Sequence, residues 1–161
     1  MNYYIKLAFG LLVPFIGTCA GALPVLFMNR EFGSGLKKLL LGFAAGVMIA
    51  ASVWSLLIPS IEMTGGKFSF VPAVTGFLAG VAFLAVLDHI TERVCRVSAE
   101  KMKTPHGTLM TVIAVTLHNI PEGMAVGVVF AGIASGAITY PEALALAVGI
   151  AIQNFPEGAI V

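Results

Sequence analysis

Apolar residues in this chain come in long blocks. They follow neither the stripes of a surface helix nor the alternation of a half-buried strand. A helix that crosses the hydrocarbon core of a bilayer needs about 20 mostly apolar residues. Segments of that length run over Tyr4–Met28, Leu39–Ile61, Phe68–Leu87, Thr108–Ala131, and from Pro141 to the end of the chain. The strands of a membrane barrel are about half as long and alternate in polarity, whereas these segments are continuous and rich in Ala, Leu and Gly. The pattern therefore predicts an all-α fold, a polytopic transmembrane helix bundle with five spans in a single transmembrane domain over residues 1–161. The first block, from Leu7 to Met28, outruns the apolar core of about 7–15 residues in a cleaved signal, so a retained span is expected. Val161 ends the chain inside an apolar stretch with no polar flank, and the expectation is an N-terminal fragment that stops within span five.

The connectors are Asn29–Lys38, Glu62–Lys67, Asp88–Gly107 and Gly132–Tyr140. Most basic residues fall in the first and third: Arg30, Lys37 and Lys38, then Arg93, Arg96, Lys101 and Lys103. Basic loops stay on the cytoplasmic side, which predicts an outside N-terminus, a fourth span running outward and a fifth returning. Glycine pairs recur at helical spacing: Gly42 and Gly46, Gly76 and Gly80, Gly123 and Gly127. Such pairs let membrane helices approach closely, and helix packing is the role expected of all three.

Composition supports the membrane reading. Hydrophobic residues make up 58% of the chain and charged residues 11%, against about 25% charged in soluble domains; mean hydropathy is +0.98. The net charge of +1 comes without a basic patch, so no nucleic-acid partner is expected; lipid is. Cys19 and Cys95 lie far apart in unlike contexts, and neither a disulfide framework nor a zinc-finger spacing is present. Cys19, in an apolar run, reads as a small buried hydrophobe.

Chemistry is concentrated in two segments, His118-Asn119-Ile120-Pro121-Glu122-Gly123 and Gln153-Asn154-Phe155-Pro156-Glu157-Gly158. They repeat one pattern in consecutive spans of opposite direction, an arrangement that recurs around midplane sites in transporters. His118 and Glu122 are four residues apart and share a helix face, as do Gln153 and Glu157. Asn119 and Asn154 each stand three residues before their glutamate. If the two faces pack together, His118, Glu122, Gln153 and Glu157 form one cluster. Asn119, Glu122, Asn154 and Glu157 form a second, bridged to the first by the glutamates. Pro121 and Pro156 cannot donate to the carbonyls of Leu117 and Ile152, and helix kinks are expected there. An unpaired carboxylate at membrane depth costs several kcal/mol, and neither span holds a Lys or Arg to offset it. The carboxylates are then either protonated or neutralised by a cation, and two of them balance one divalent ion. Imidazole nitrogen with carboxylate oxygen suits zinc, iron(II), manganese and cobalt; the lack of thiolate argues against copper(I).

The paired signature, His-Asn-x-Pro-Glu-Gly followed by Gln-Asn-x-Pro-Glu-Gly, resembles that of the ZIP (Zrt/Irt-like) divalent metal transporters. Its form is closest to the prokaryotic GufA-like branch. The resemblance implies an eight-helix protein with outside termini, of which this chain carries the first five helices. It also implies that His118, Asn119, Glu122, Gln153, Asn154 and Glu157 are the transport-site ligands. Members often have an acidic residue where this chain has Asn154, which weakens the second ion position. By the same resemblance, Met48 and Ala51 border the site, while Ser55 and Glu62 line its entrance. From the residues alone, Met48 and Ala51 are ordinary packing positions and Glu62 a solvated charge. Asp88, His89 and Glu92, at the cytoplasmic end of span three, are candidates to receive the ion on exit or simply a charged helix terminus. His106 stands alone in a short loop and gives little support to metal sensing there.

The function expected is transport of a divalent metal into the cytoplasm across a bacterial inner membrane. Zinc comes first, with iron, manganese, cobalt and cadmium as relatives. The metal is substrate rather than cofactor, no enzymatic activity is expected, and a homo-oligomer is open. The rivals are a membrane-embedded zinc hydrolase and a metal-selective channel. The hydrolase is disfavoured because no His-Glu-x-x-His helix is present.

Overall fold

The computed structural model describes residues 2–27, 32–102 and 106–160, with backbone alone for 94–102, 106–112 and 114. Arg30 and Lys103 lie outside the described residues, as do the side chains of Cys95, Arg96, Lys101 and His106. Helices account for all the regular structure among them: α1 (Tyr3–Val25), α2 (Ser34–Ala51), a π-helical turn (Ser52–Leu57), α3 (Ile58–Thr64), α4 (Phe70–Met102), α5 (His106–Ala134) and α6 (Tyr140–Ile160). Five stretches among the described residues are long and apolar enough to cross a membrane, the second being the continuous run Ser34–Thr64. The fold is an all-α bundle of five candidate spans, and the chain is an integral membrane protein.

The helices overrun the apolar blocks that announce them. α4 continues through most of the Asp88–Gly107 connector as far as Met102, because a helix needs apolar residues only where lipid surrounds it. Helix ends follow local chemistry. α6 opens on a capping box: Glu142 accepts hydrogen bonds from the backbone N–H and the hydroxyl of Thr139, both at 2.7 Å. Just past the last turn of α5, Gly136 takes φ of 73°, a left-handed value that a side chain disfavours and that terminates helices. The π-helical turn stands just ahead of Pro59. Proline removes a backbone donor and crowds the carbonyl one turn back, and a widened turn there relieves both.

Two compact units are present. The first combines Met1–Pro59 with Glu122–Val161. Its centre is α6, half of whose span is buried. Ala143, Leu146, Ala147 and Ile150 of α6 close with Val126, Val129 and Phe130 of α5 into a core, edged by Leu7 and Val13 of α1, by Ala51 and by Leu56. Phe130 stacks edge-on against Tyr140, and Lys6 sits over the Tyr140 ring at 4.8 Å. The second unit, Ser60–Pro121, is largely exposed among the described residues. Thr75 and Thr91 there return their hydroxyls to the carbonyls of Val71 and Leu87 one turn back, each at 2.8 Å. In both units the exposed faces carry large apolar side chains such as Phe9, Phe15, Trp54 and Phe77, as lipid contact requires.

Two expectations need correction. Cys19 is exposed rather than buried; an apolar run does not separate a lipid-facing position from a protein-facing one, and a thiol tolerates either. The glycines that permit close approach are also not the expected pairs. Among the described residues, a Cβ added at Gly42, Gly46, Gly76, Gly80, Gly123 or Gly127 meets nothing within 4 Å. Close approach occurs instead between α1 and α6, at Gly17, Gly21 and Gly158, and between Gly10 and the Phe130 ring.

Candidate metal centre

The first unit brings the α6 motif against Glu122 of α5. Both helices run on through their prolines, so the ligand-type residues keep regular helical spacing. Gln153 and Asn154 are almost wholly buried, at 2% and 1% exposure. Gln153 donates its Nε2–H to Glu122 Oε1. The Asn154 side chain hydrogen-bonds the same carboxylate. Glu157, one turn beyond Gln153, offers a carboxylate oxygen within 4.8 Å of one on Glu122. Glu122, Gln153, Asn154 and Glu157 therefore lie together in one cluster.

His118 stands one turn before Glu122 on the same unbroken helix. That helical relation puts the two side chains on one face of α5. Asn119 donates its Nδ2–H to the Val115 carbonyl at 2.8 Å, one turn back along α5.

The electrostatics of the cluster decide what it suits. Two ionised carboxylates within 4.8 Å of each other repel by at least about 3.5 kcal/mol at an effective dielectric constant of about 20. Each also costs about 3 kcal/mol to hold at membrane depth. Neither α5 nor α6 contains a Lys or Arg. The amide donors of Gln153 and Asn154 return about 1.5–3 kcal/mol each as hydrogen bonds to a charged group, which does not cover both losses. Gln153 Oε1, on the same amide head that touches Glu122, is buried with no hydrogen-bond partner among the described residues. An acceptor oxygen left over beside two carboxylates is what a bound cation completes. The donor set of imidazole nitrogen, carboxylate and amide oxygen fits a borderline divalent metal.

The remaining sequence candidates distribute as follows. Ala51 packs at the edge of the core, and its Cβ would lie 3.8 Å from one added at Gly149, one turn before Gln153. Met48 and Ser55 are half-buried in the same unit, Ser55 within the π-helical turn. Glu62, Asp88 and His89 belong to the other unit and are exposed, as is Glu92. Two features escaped the sequence. The π-helical turn had one available signal, Pro59 following two serines in an apolar run. The glycines of α1 had none that set them apart from the other glycine pairs.

No family model and no solved structure matches the chain. Curated relatives do. The Myxococcus xanthus protein named zinc transporter GufA is 35% identical over 148 residues, 84% of this chain and 54% of that protein. The Bordetella bronchiseptica zinc transporter ZIPB is 36% identical over 126 residues, 73% of this chain and 40% of its own length. The Xenopus tropicalis zinc transporter ZIP11 reaches 52% identity over 67 residues, 37% of this chain and 20% of its own length. The chain thus spans from a fifth to about half the length of these three relatives. Matches to bacterial and animal zinc transporters, together with five apolar helices and a paired Pro-Glu-Gly cluster, place the chain in the ZIP (Zrt/Irt-like) family, with GufA-like proteins among its relatives.

Proposed function

We propose that the protein carries divalent metal ions, zinc foremost, across a bacterial inner membrane into the cytoplasm. The ion is held between α5 and α6 by His118, Glu122, Gln153 and Glu157. A second position beside it uses Asn119 and Asn154 with the shared glutamates. The observation that carries this reading is the cluster of Glu122, Gln153, Asn154 and Glu157, with two carboxylates within 4.8 Å and no cationic side chain on either helix. The relatives named zinc transporters support the same ion. Zinc, or iron(II), manganese, cobalt or cadmium, is the substrate, and no covalent step is needed. The N-terminus lies outside, which puts the basic connectors in the cytoplasm. Ions enter past Met48, Ala51, Ser55 and Glu62 and leave past Asp88 and His89.

Calorimetric titration of zinc into the purified protein tests the site. Glu122→Ala and Glu157→Ala are each expected to weaken binding by more than about 100-fold, beyond what changes outside the ligand shell produce. Wild-type affinity in either variant removes the site from the account.

A further inference from the structure

The α6 ligand segment is held from behind by α1. A Cβ built on Gly21 would lie 1.9 Å from the Phe155 carbonyl oxygen, and one on Gly158 2.2 Å from the Thr18 carbonyl oxygen. One on Gly17 would lie 2.3 Å from the Ala151 carbonyl oxygen. In every case the obstacle is backbone, which cannot rotate aside as a side chain can. The three contacts bracket Gln153, Asn154 and Glu157 along α6. Glycine in a helix interior is otherwise a loss, because alanine there forms helix more readily. These positions therefore bear a cost that only close approach explains. The position of the ligand turn is what that approach sets. Gln153, whose buried Oε1 has no hydrogen-bond partner among the described residues, sits between the Gly17 contact and the two Gly21 and Gly158 contacts.

We infer that Gly17, Gly21 and Gly158 are positioning residues of the metal centre: they lock α1 to α6 backbone against backbone and so set the distance of Gln153 and Glu157 from Glu122. This rests on the metal-site reading above. None of the three touches the ion. A methyl group on any of them forces α6 outward, and the ligand set opens although every ligand is still present. Binding sites tolerate little of this, since ligand geometry must be held to a fraction of an ångström.

The test compares four alanine variants of the intact protein, purified in detergent, by zinc affinity, by the visible absorption of bound cobalt(II) and by thermal unfolding. Gly21→Ala and Gly158→Ala are expected to weaken zinc binding by about tenfold or more and to alter the position and intensity of the cobalt bands. Gly127→Ala, where an added Cβ meets nothing, leaves zinc affinity and the cobalt spectrum unchanged and does not lower the unfolding temperature. Gly10→Ala, which strikes the Phe130 ring, lowers the unfolding temperature but leaves the cobalt spectrum as it was; this separates loosened packing from a displaced ligand turn. Folded Gly21→Ala and Gly158→Ala proteins with wild-type affinity and spectrum overturn the inference while the metal site stands. A wild-type protein that binds neither ion overturns the site reading itself. If the two variants do not fold, hydrogen exchange on the wild type decides. Zinc is then expected to slow exchange at residues 17–22 of α1, which hold no ligand, along with the α6 motif. Protection confined to α5 and α6 contradicts the inference.

Discussion

Glu122 is the residue on which the cluster turns. Gln153 and Asn154 both hydrogen-bond it, and Glu157 approaches within 4.8 Å. Asn154 stands differently: it is a neutral amide, so it adds a dipole and no charge. Asn154→Ala is therefore expected to weaken zinc binding by less than about tenfold, short of the losses at the glutamates; a calorimetric titration of that variant beside Glu122→Ala checks the order. A larger loss at Asn154 than at Glu122 contradicts the ranking. At this scale the sequence was highly legible. Two Pro-Glu-Gly segments with polar residues three and four positions earlier specify which side chains share a helix face, and the fixed period of the helix does the rest. The amide of Asn119 was less legible. It bonds the Val115 carbonyl, and only the structure shows where a side chain with several partners in reach directs its donors.

α6 is the element that organises the first unit. Other spans present most of their surface outward, but α6 is half-buried and touches α1, α2 and the π-helical turn. Phe130 of α5, fully buried against it and over Gly10, is the largest side chain in that core. Phe130→Ala leaves a cavity and is expected to cost about 3 kcal/mol, the low end for a buried aromatic, because in lipid the unfolded reference loses little by exposing the ring. Thermal or denaturant unfolding in detergent measures it, and an unchanged midpoint contradicts the packing described here. Elements were legible as apolar blocks, but their ends were not. Hydropathy reports where lipid lies, while α4 continues to Met102 through charged residues that need no lipid. Packing partners were also hidden, since every span offers small residues. Gly17/Gly21 has the same spacing as the expected pairs Gly42/Gly46 and Gly76/Gly80, and only the structure distinguishes them.

For the whole molecule, the proposed orientation follows from charge alone. With Cys19 and Cys95 replaced, Lys37→Cys is expected to be shielded from an impermeant thiol reagent applied to intact cells, and Ser135→Cys to be labelled. The reverse pattern inverts the topology and with it the direction of transport. The proposed function stands on the Glu122 and Glu157 carboxylates carrying a divalent ion across the membrane. It is tested most directly by zinc uptake into sealed vesicles containing the intact protein, with Glu122→Ala and Glu157→Ala inserted to equal density. Saturable uptake is expected of the wild type and background uptake of both variants. Wild-type rates in either variant, or no uptake by the wild type, contradict it.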